Sequence, residues 1–489
     1  MNRKIITFAV VSLVVAMLSC SKTEQAQKLN YIVIMADDIS AIEIGCYGNT
    51  EIETPNIDLL AEQGVQFKTC WSTSLCQPSR MQLLTGRYAT STGWYSNDMK
   101  PAGDPHYGIY GDPDYKLTSE LFFSKLFQQN GYKTAISGKW HIEEYPNWGT
   151  FSNDFGFDEY CLWGIPDSLP EGYENYANVP GATGPYYKMG FRGPFWQPAI
   201  VENGKLGPTG EDDYGPDYFS DFICRFVEKN KDNPFMVYYP ANIAHSWWYN
   251  PVSEETRWGT VGPVPELDSL GNKTGNRTPV GREYAIEYLD FLVGKIVNKL
   301  EELNIRENTV IIFTTDNGAE KYGKGRIVSE NGFRVPMIVN NPKIITEPVM
   351  SKSYVQLADV FPTLSDLAKI AVPDSVKIDG ISFMKVLKGE PSPREYLYNY
   401  LDWKRAFKFK DYYLDGNDSL WFCRPTSEFQ FSYINMTDSM NNPEVVSVMQ
   451  KMEELKDTYP APDTTNNPMY QRYKAKHKYF EEKIKSITR

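Results

Sequence analysis

One thiol and one guanidinium stand at fixed spacing in Cys76-Gln77-Pro78-Ser79-Arg80, which continues Met81-Gln82-Leu83-Leu84-Thr85-Gly86-Arg87. Pro78 stiffens the turn and favours an extended Gln77. Leu83, Leu84 and the polar residues after Pro78 read as the first turns of a helix. That puts Cys76 at a helix N-terminus, where negative charge is favoured. A lone cysteine is more often a small core hydrophobe than a nucleophile, so the other segments must decide what this one does.

Two pairs of oxygen-bearing polar residues end strand-like runs. Asp37-Asp38 follows the apolar stretch Tyr31 to Ala36, and Asp316-Asn317 follows the β-branched stretch Thr309 to Thr315. Each pair alone reads equally well as a strand-end turn, and Asp-Asn-Gly is a common turn sequence. Together they offer three carboxylates and an amide oxygen, with no thiolate or imidazole among them. Such hard oxygen donors suit Ca²⁺ or Mg²⁺, and several flexible carboxylates favour Ca²⁺. Of the four histidines, His141 lies in Gly131-Tyr-Lys-Thr-Ala-Ile-Ser-Gly-Lys139-Trp-His141, and His245 ends Ala241-Asn242-Ile243-Ala244-His245 after a second strand-like run. His106 and His477 read as loop and surface residues. Gly323-Lys324-Gly325 precedes Glu330-Asn-Gly-Phe-Arg334-Val-Pro336.

The stretch C-x-P-S-R followed by L-T-G-R resembles the signature of type I sulfatases, members of the alkaline phosphatase superfamily. The Gly131–His141, Ala241–His245 and Gly323–Pro336 stretches resemble three further segments of that family. The resemblance implies that Cys76 is oxidised by a modifying enzyme to formylglycine, whose hydrate attacks a sulfate ester. It implies one Ca²⁺ held by Asp37, Asp38, Asp316 and Asn317 together with the modified Cys76. Arg80, Lys139 and Lys324 would neutralise the sulfate oxygens. His141 would take a proton from the hydrate, and His245 would protonate the leaving alcohol. The segment after Lys324 is one residue longer than the usual family form, and Asn331 stands where glycine is usual, so Lys321 or Arg326 is an alternative to Lys324. A geminal diol can expel sulfate by collapsing to the aldehyde, whereas a serine would be left as a stable ester.

Two other readings use the same residues. A phosphate or phosphonate monoester hydrolase of the same superfamily can share C-x-P-S-R, but those metal sites commonly carry histidine where Asn317 stands. A non-catalytic glycan-binding lipoprotein would not need the whole polar set.

These groups need a scaffold, and the chain is long enough for one. Its 489 residues are 41% hydrophobic and 14% aromatic, so a sizeable core is expected. The net charge of −12 argues against nucleic acid as a partner and requires a local positive site for any anionic substrate. Strand-like and helix-like segments alternate: helices over 54–64, 117–130 and 284–303, and strands over 31–36, 134–137, 234–240, 309–315 and 335–339. The order predicts an α/β fold with a large, mostly parallel sheet flanked by helices, whose ligands gather beyond the strand C-termini. Residues 142–280 read as irregular and rich in Gly, Pro and Trp, with sugar stacking and loop packing equally open. After 393, Tyr/Phe/Lys-rich strands and helices over 443–455 and 469–487 suggest a small α+β subdomain. The expected division is a catalytic domain over 29–392 and this subdomain over 393–489.

Residues 1–19 read as a lipoprotein signal peptide. Arg3 and Lys4 precede an apolar run from Ile5 to Leu18, too short for a typical span of about 20 residues. Met17-Leu18-Ser19-Cys20 resembles a loose lipobox, which implies a lipid anchor at Cys20, a polar tether over 20–28 and a place in the bacterial cell envelope. The remaining five cysteines show no metal or disulfide spacing and read as buried apolar residues. A sulfated carbohydrate is the substrate class that a lipoprotein sulfatase implies.

Overall fold

The apolar run after Asn30 forms strand β1 (Asn30–Ala36) in the computed structural model, and every residue of it is buried. The structure describes residues 28–97, 117–142, 147–164, 194–207, 209–210, 212–245 and 262–461. Strand β1 lies between β7 (Phe235–Pro240) and β10 (Thr309–Thr315), parallel to both. Strand β3 (Lys133–Gly138) continues the parallel array beside β7, and β4 (Glu159–Trp163) lies parallel beside β3.

The run of consecutive parallel strands is confined to the centre of the eleven-stranded sheet, so the sheet is mixed and not mostly parallel. On one flank β5 (Ile200–Glu202) and β6 (Lys205–Gly207) run antiparallel. On the other, β12 (Met337–Asn340) is antiparallel to β10, and β2 (Val65–Trp71) is antiparallel to β12. Two reversals return β2 to the direction of β10. Short β11 (Arg334–Val335) runs antiparallel to β2, and β13 (Val349–Gln356) runs parallel to it.

Alternation along β1 sets the two layers. Ile32, Ile34 and Ala36 face helices Gly215–Lys229 and Arg282–Glu302. Tyr31, Val33 and Met35 face helices Cys76–Thr85, Phe123–Gln129 and Val360–Ala368. A hairpin of β8 (Pro265–Leu267) and β9 (Lys273–Arg277) precedes helix Arg282–Glu302.

A second, antiparallel sheet runs β14 (Tyr396–Leu401), β15 (Lys404–Phe409), β16 (Tyr412–Leu414), β17 (Leu420–Pro425) and β18 (Phe431–Asn435). Helix Pro443–Thr458 buries Val445, Val448, Met452 and Leu455 against it. Buried Glu330 joins the two sheets. It accepts from Trp71 Nε1 at 2.8 Å on β2, Lys408 Nζ at 2.9 Å on β15 and Tyr433 OH at 2.9 Å on β18.

Several elements differ from the reading of the sequence. Pro336 has no N–H to give a ladder and splits the expected strand over 335–339 into β11 and β12. The expected helix over 117–130 is a 3₁₀ turn at Leu117–Ser119 followed by helix Phe123–Gln129, because Phe122 is extended and fully buried. Gln77 is helical, not extended. Pro78 sits in the first helical turn, where N–H groups have no partner within the helix. The stretch over 142–280 holds a fifteen-residue helix, Gly215–Lys229, that its Gly, Pro and aromatic content concealed. Of the described cysteines, Cys70, Cys76, Cys161, Cys224 and Cys423 are buried, whereas Cys46 is half-buried and not the core residue expected. The signal segment, Cys20, Trp247, Trp248, Trp258 and the helix over 469–487 lie outside the described residues.

Candidate active site

Parallel pairing brings the chemistry to one edge. Ala36 pairs with Thr315, so Asp37-Asp38 and Asp316-Asn317 leave adjacent strands side by side. The same edge receives Lys139 and His141 after β3 and His245 after β7. Helix Cys76–Thr85 follows β2, whose direction matches, and so delivers Cys76 and Arg80 there. Gly138 makes one close approach possible: its φ is +127°, and a Cβ would stand 2.1 Å from the Pro240 carbonyl oxygen. Through it Lys139 N–H donates to that carbonyl at 2.7 Å.

Helix Cys76–Thr85 is buried along its whole length. Gln77 N–H donates to Asn97 Oδ1 at 3.0 Å, which satisfies a donor of the first turn, and Ser79 Oγ accepts from Thr73 N–H at 3.1 Å in the loop before the helix. Burial pushes the Cys76 thiol up to about 11, against the pull of Lys139 and Lys324. An unmodified Cys76 is therefore a thiol at neutral pH, and a weak nucleophile.

Donor atoms of Asp37, Asp38, Cys76 and His245 all lie within 4.8 Å of one another. Asp37 Oδ2 accepts from Lys139 Nζ at 2.6 Å and lies 3.5 Å from Arg80 Nη2. Arg80 Nη2 donates to Asp316 Oδ2 at 2.7 Å, and Arg80 Nη1 to the Lys139 carbonyl at 3.0 Å. Asp316 Oδ1 accepts from Asp38 N–H at 3.1 Å. Lys324 Nζ donates to both oxygens of Asp38, and His245 Nε2 lies 3.6 Å from Asp38 Oδ2. Gly325 N–H bonds the Ser74 carbonyl at 2.8 Å, which ties the lysine's loop to the one before Cys76. Lys321 and Arg326 are exposed, so Lys324 is the lysine of this stretch that enters the site.

Charge is balanced among these groups. Burial disfavours the Asp38 carboxylate, yet Lys324, His245 and Lys139 hold its pKa well below the usual range. Burial and the neighbouring Asp37 raise that of Asp316, which Arg80 opposes. Burial and the nearby cations hold both His141 and His245 well below the ordinary histidine value, so each is neutral near pH 7.

The donor set fits a hard cation. Three carboxylates face three cations, Arg80, Lys139 and Lys324. Buried oxygens Asp37 Oδ1 and Asn317 Oδ1 have no hydrogen-bond partner. The Asn317 amide now donates through Nδ2 to Asp38 Oδ1 at 2.6 Å, and a half-turn of it would offer Oδ1 instead. Cys76, Arg80, Asp37, Asp38, Asp316, Asn317, Lys139, His245 and Lys324 thus meet at one edge, with His141 buried close enough to feel Lys139 and Arg80. Among the described tryptophans, Trp163 is buried in the core and Trp148 stacks on Tyr160 at 5.8 Å, which favours packing over sugar contact there. Arg282 and Glu43, which grip the loop carrying Asp38, had no local signal. They meet across 239 residues of chain.

Comparison with known proteins follows the same lines. Residues 29–370 match the family model described as "Sulfatase", and residues 318–477 match "N-sulphoglucosamine sulphohydrolase, C-terminal". Human N-acetylgalactosamine-6-sulfatase is 27% identical over 381 residues, covering 74% of this chain and 66% of that protein. The chain thus spans about two thirds of that relative. The solved structure of a sulfatase from Pseudoalteromonas sp. superposes with a TM-score of 0.64 at 20% identity, covering 95% of this chain and 96% of the other. A structure solved in complex with its substrate, D-glucosamine-2-N,6-O-disulfate, gives 0.58 at 21% identity, covering 91% and 99%. The second of the two family matches takes in the second sheet.

Proposed function

Because this chain belongs to the sulfatase family, we propose that it hydrolyses sulfate monoesters at the site built around Cys76. One observation carries the reading: a buried thiol, three carboxylates and three cations meet at a single edge of the sheet. Asp37, Asp38, Asp316 and Asn317 are the residues that would hold Ca²⁺. When bound, the ion supplies two positive charges that polarise sulfate oxygens and leave an otherwise balanced pocket attractive to an anion. Formylglycine in place of Cys76, installed by a modifying enzyme, supplies a hydrate with the nucleophilic oxygen that the protonated thiol lacks.

The chain's own groups do the rest. Arg80 is locked by Asp316 and the Lys139 carbonyl, so it offers charge without reorganising. Lys139 and Lys324 now neutralise Asp37 and Asp38. With Asp37 and Asp38 committed to a bound cation, the Lys139 and Lys324 ammonium groups would be available to sulfate oxygens. His141 is kept neutral by burial and its cationic neighbours, which leaves it able to accept a proton. His245, beside Asp38, gives a proton to the departing alcohol oxygen.

A sulfated carbohydrate is the substrate class we infer. The similar proteins include one named for a sulfated galactosamine and one solved with a sulfated glucosamine. We place the mature chain in the bacterial cell envelope, anchored through a lipid on Cys20. Asn317 in place of a histidine favours sulfate over phosphate. Turnover of matched sulfate and phosphate esters by the Ca²⁺-loaded, aldehyde-bearing protein tests this. Sulfate should be strongly preferred, and equal or greater phosphate hydrolysis would overturn the assignment.

A further inference from the structure

Arg282 opens the long helix Arg282–Glu302, and its side chain is 15% exposed. Its guanidinium reaches away from the helix into two loops of the site. Nη2 donates to the carbonyl of Asp38, and Nη1 donates to the carbonyl of Ala244 at 3.1 Å. Glu43 holds the other side of the fork, accepting from Nε at 2.5 Å and from Nη2 at 2.9 Å. Glu43 is fully buried and also accepts from Ser40 N–H at 3.0 Å, so it is itself fixed.

The two carbonyls belong to different parts of the chemistry. Asp38 carries a carboxylate of the cation cluster on a backbone with φ +62°, a conformation that a non-glycine residue adopts only when held. Ala244 immediately precedes His245. The loops already exchange backbone hydrogen bonds, Asp37 N–H to the Ile243 carbonyl at 3.0 Å and Ala244 N–H to the Asp37 carbonyl at 2.9 Å. Arg282 closes the remaining side of that pair. We infer that Arg282 is a positioning residue that sets the Asp38 carboxylate and the His245 imidazole relative to each other by gripping both loops with one fork. The inference rests on the sulfate-ester reading for its activity assay, though not for its metal assay.

Lysine keeps the charge but replaces the rigid planar fork with one compact ammonium on a flexible stem, so it does not hold the two carbonyls and Glu43 in the fork's fixed geometry. The test compares the full chain with Arg282→Lys and Glu43→Gln. Ca²⁺ binding is measured by calorimetry. At saturating Ca²⁺, kcat/KM is measured on a sulfated sugar and on an aryl sulfate with a good leaving group. Arg282→Lys should weaken Ca²⁺ binding by about ten- to a hundredfold, the usual cost of losing a residue that orients a ligand. It should also lose several-fold more activity on the sugar than on the aryl ester, because a displaced His245 matters only when the alcohol needs a proton. Glu43→Gln should shift both readouts the same way by less, and it decides the matter if Arg282→Lys does not fold. A merely structural residue would lower the folded fraction and leave both the Ca²⁺ dissociation constant and the substrate ratio unchanged. That result would overturn the inference. If the unmutated, aldehyde-bearing, Ca²⁺-loaded protein hydrolyses no sulfate ester, the functional reading fails, and the Ca²⁺ comparison still decides whether Arg282 positions Asp38.

Discussion

Replacing His245 with alanine should separate proton donation from sulfate binding. Its Nε2 lies 3.6 Å from Asp38 Oδ2, at the side of the cluster next to Lys324. Burial, Lys139 and Lys324 disfavour its cation more than Asp38 favours it, so its pKa falls well below the ordinary value. Protonated His245 is therefore scarce at neutral pH, and its fraction drops about tenfold for each pH unit above that pKa. A sugar alkoxide needs the proton as its S–O bond breaks, whereas an activated phenolate does not. A general acid contributes about 10²–10⁴ in rate, which is about 3–5 kcal/mol of barrier. His245→Ala should cost that much on a sulfated sugar and far less on an aryl sulfate. In the unmutated protein, kcat/KM on the sugar should fall as pH rises through neutrality, and His245→Ala should remove that slope. Lys139→Ala should hurt both substrates comparably, because a sulfate-oxygen contact is needed whatever the alcohol. Steady-state kinetics of both variants on both esters from about pH 5 to 9 give the answer. Equal losses for His245→Ala on the two esters, or an unchanged slope, would refute its role as the acid.

Chelation should abolish turnover and Ca²⁺ should restore it. Asp316→Ala should weaken the metal and also strip Arg80 of its 2.7 Å partner, so added Ca²⁺ should rescue it incompletely; normal turnover by metal-free protein would remove the ligand assignment. Lys408→Met leaves Glu330 charged and buried at the junction of the two sheets, and breaking such a pair costs about 3–5 kcal/mol. Urea unfolding should show that loss, and an unchanged midpoint would mean the junction is relieved by water or rearrangement.

The site was more legible than the fold because its residues sit at strand ends. Asp37, Asp316 and Lys139 follow β-branched or apolar runs, and parallel pairing turns that sequence position into proximity. The central strands were readable for the same reason, being buried on both faces. The antiparallel flanks were not, since β2, β12 and β13 owe their order to partners far away in the chain. Helix Gly215–Lys229 has Phe219, Phe222, Ile223, Phe226 and Val227 at helical spacing, and the glycines, prolines and tryptophans around it drew attention from that period. Lys324 could be separated from Lys321 and Arg326 only in three dimensions, where it alone reaches Asp38. Arg282 could not be found at all from sequence, because an arginine opening a helix looks the same whether it meets solvent or two loop carbonyls.

The central claim is that a modified Cys76 drives sulfate-ester hydrolysis. Its most direct test is sulfate release from a sulfated sugar, measured across preparations in which the mass of the Cys76 peptide shows graded conversion to the aldehyde. Release should rise in proportion to the converted fraction and vanish in Cys76→Ala. Equal release from fully unconverted protein would contradict the account.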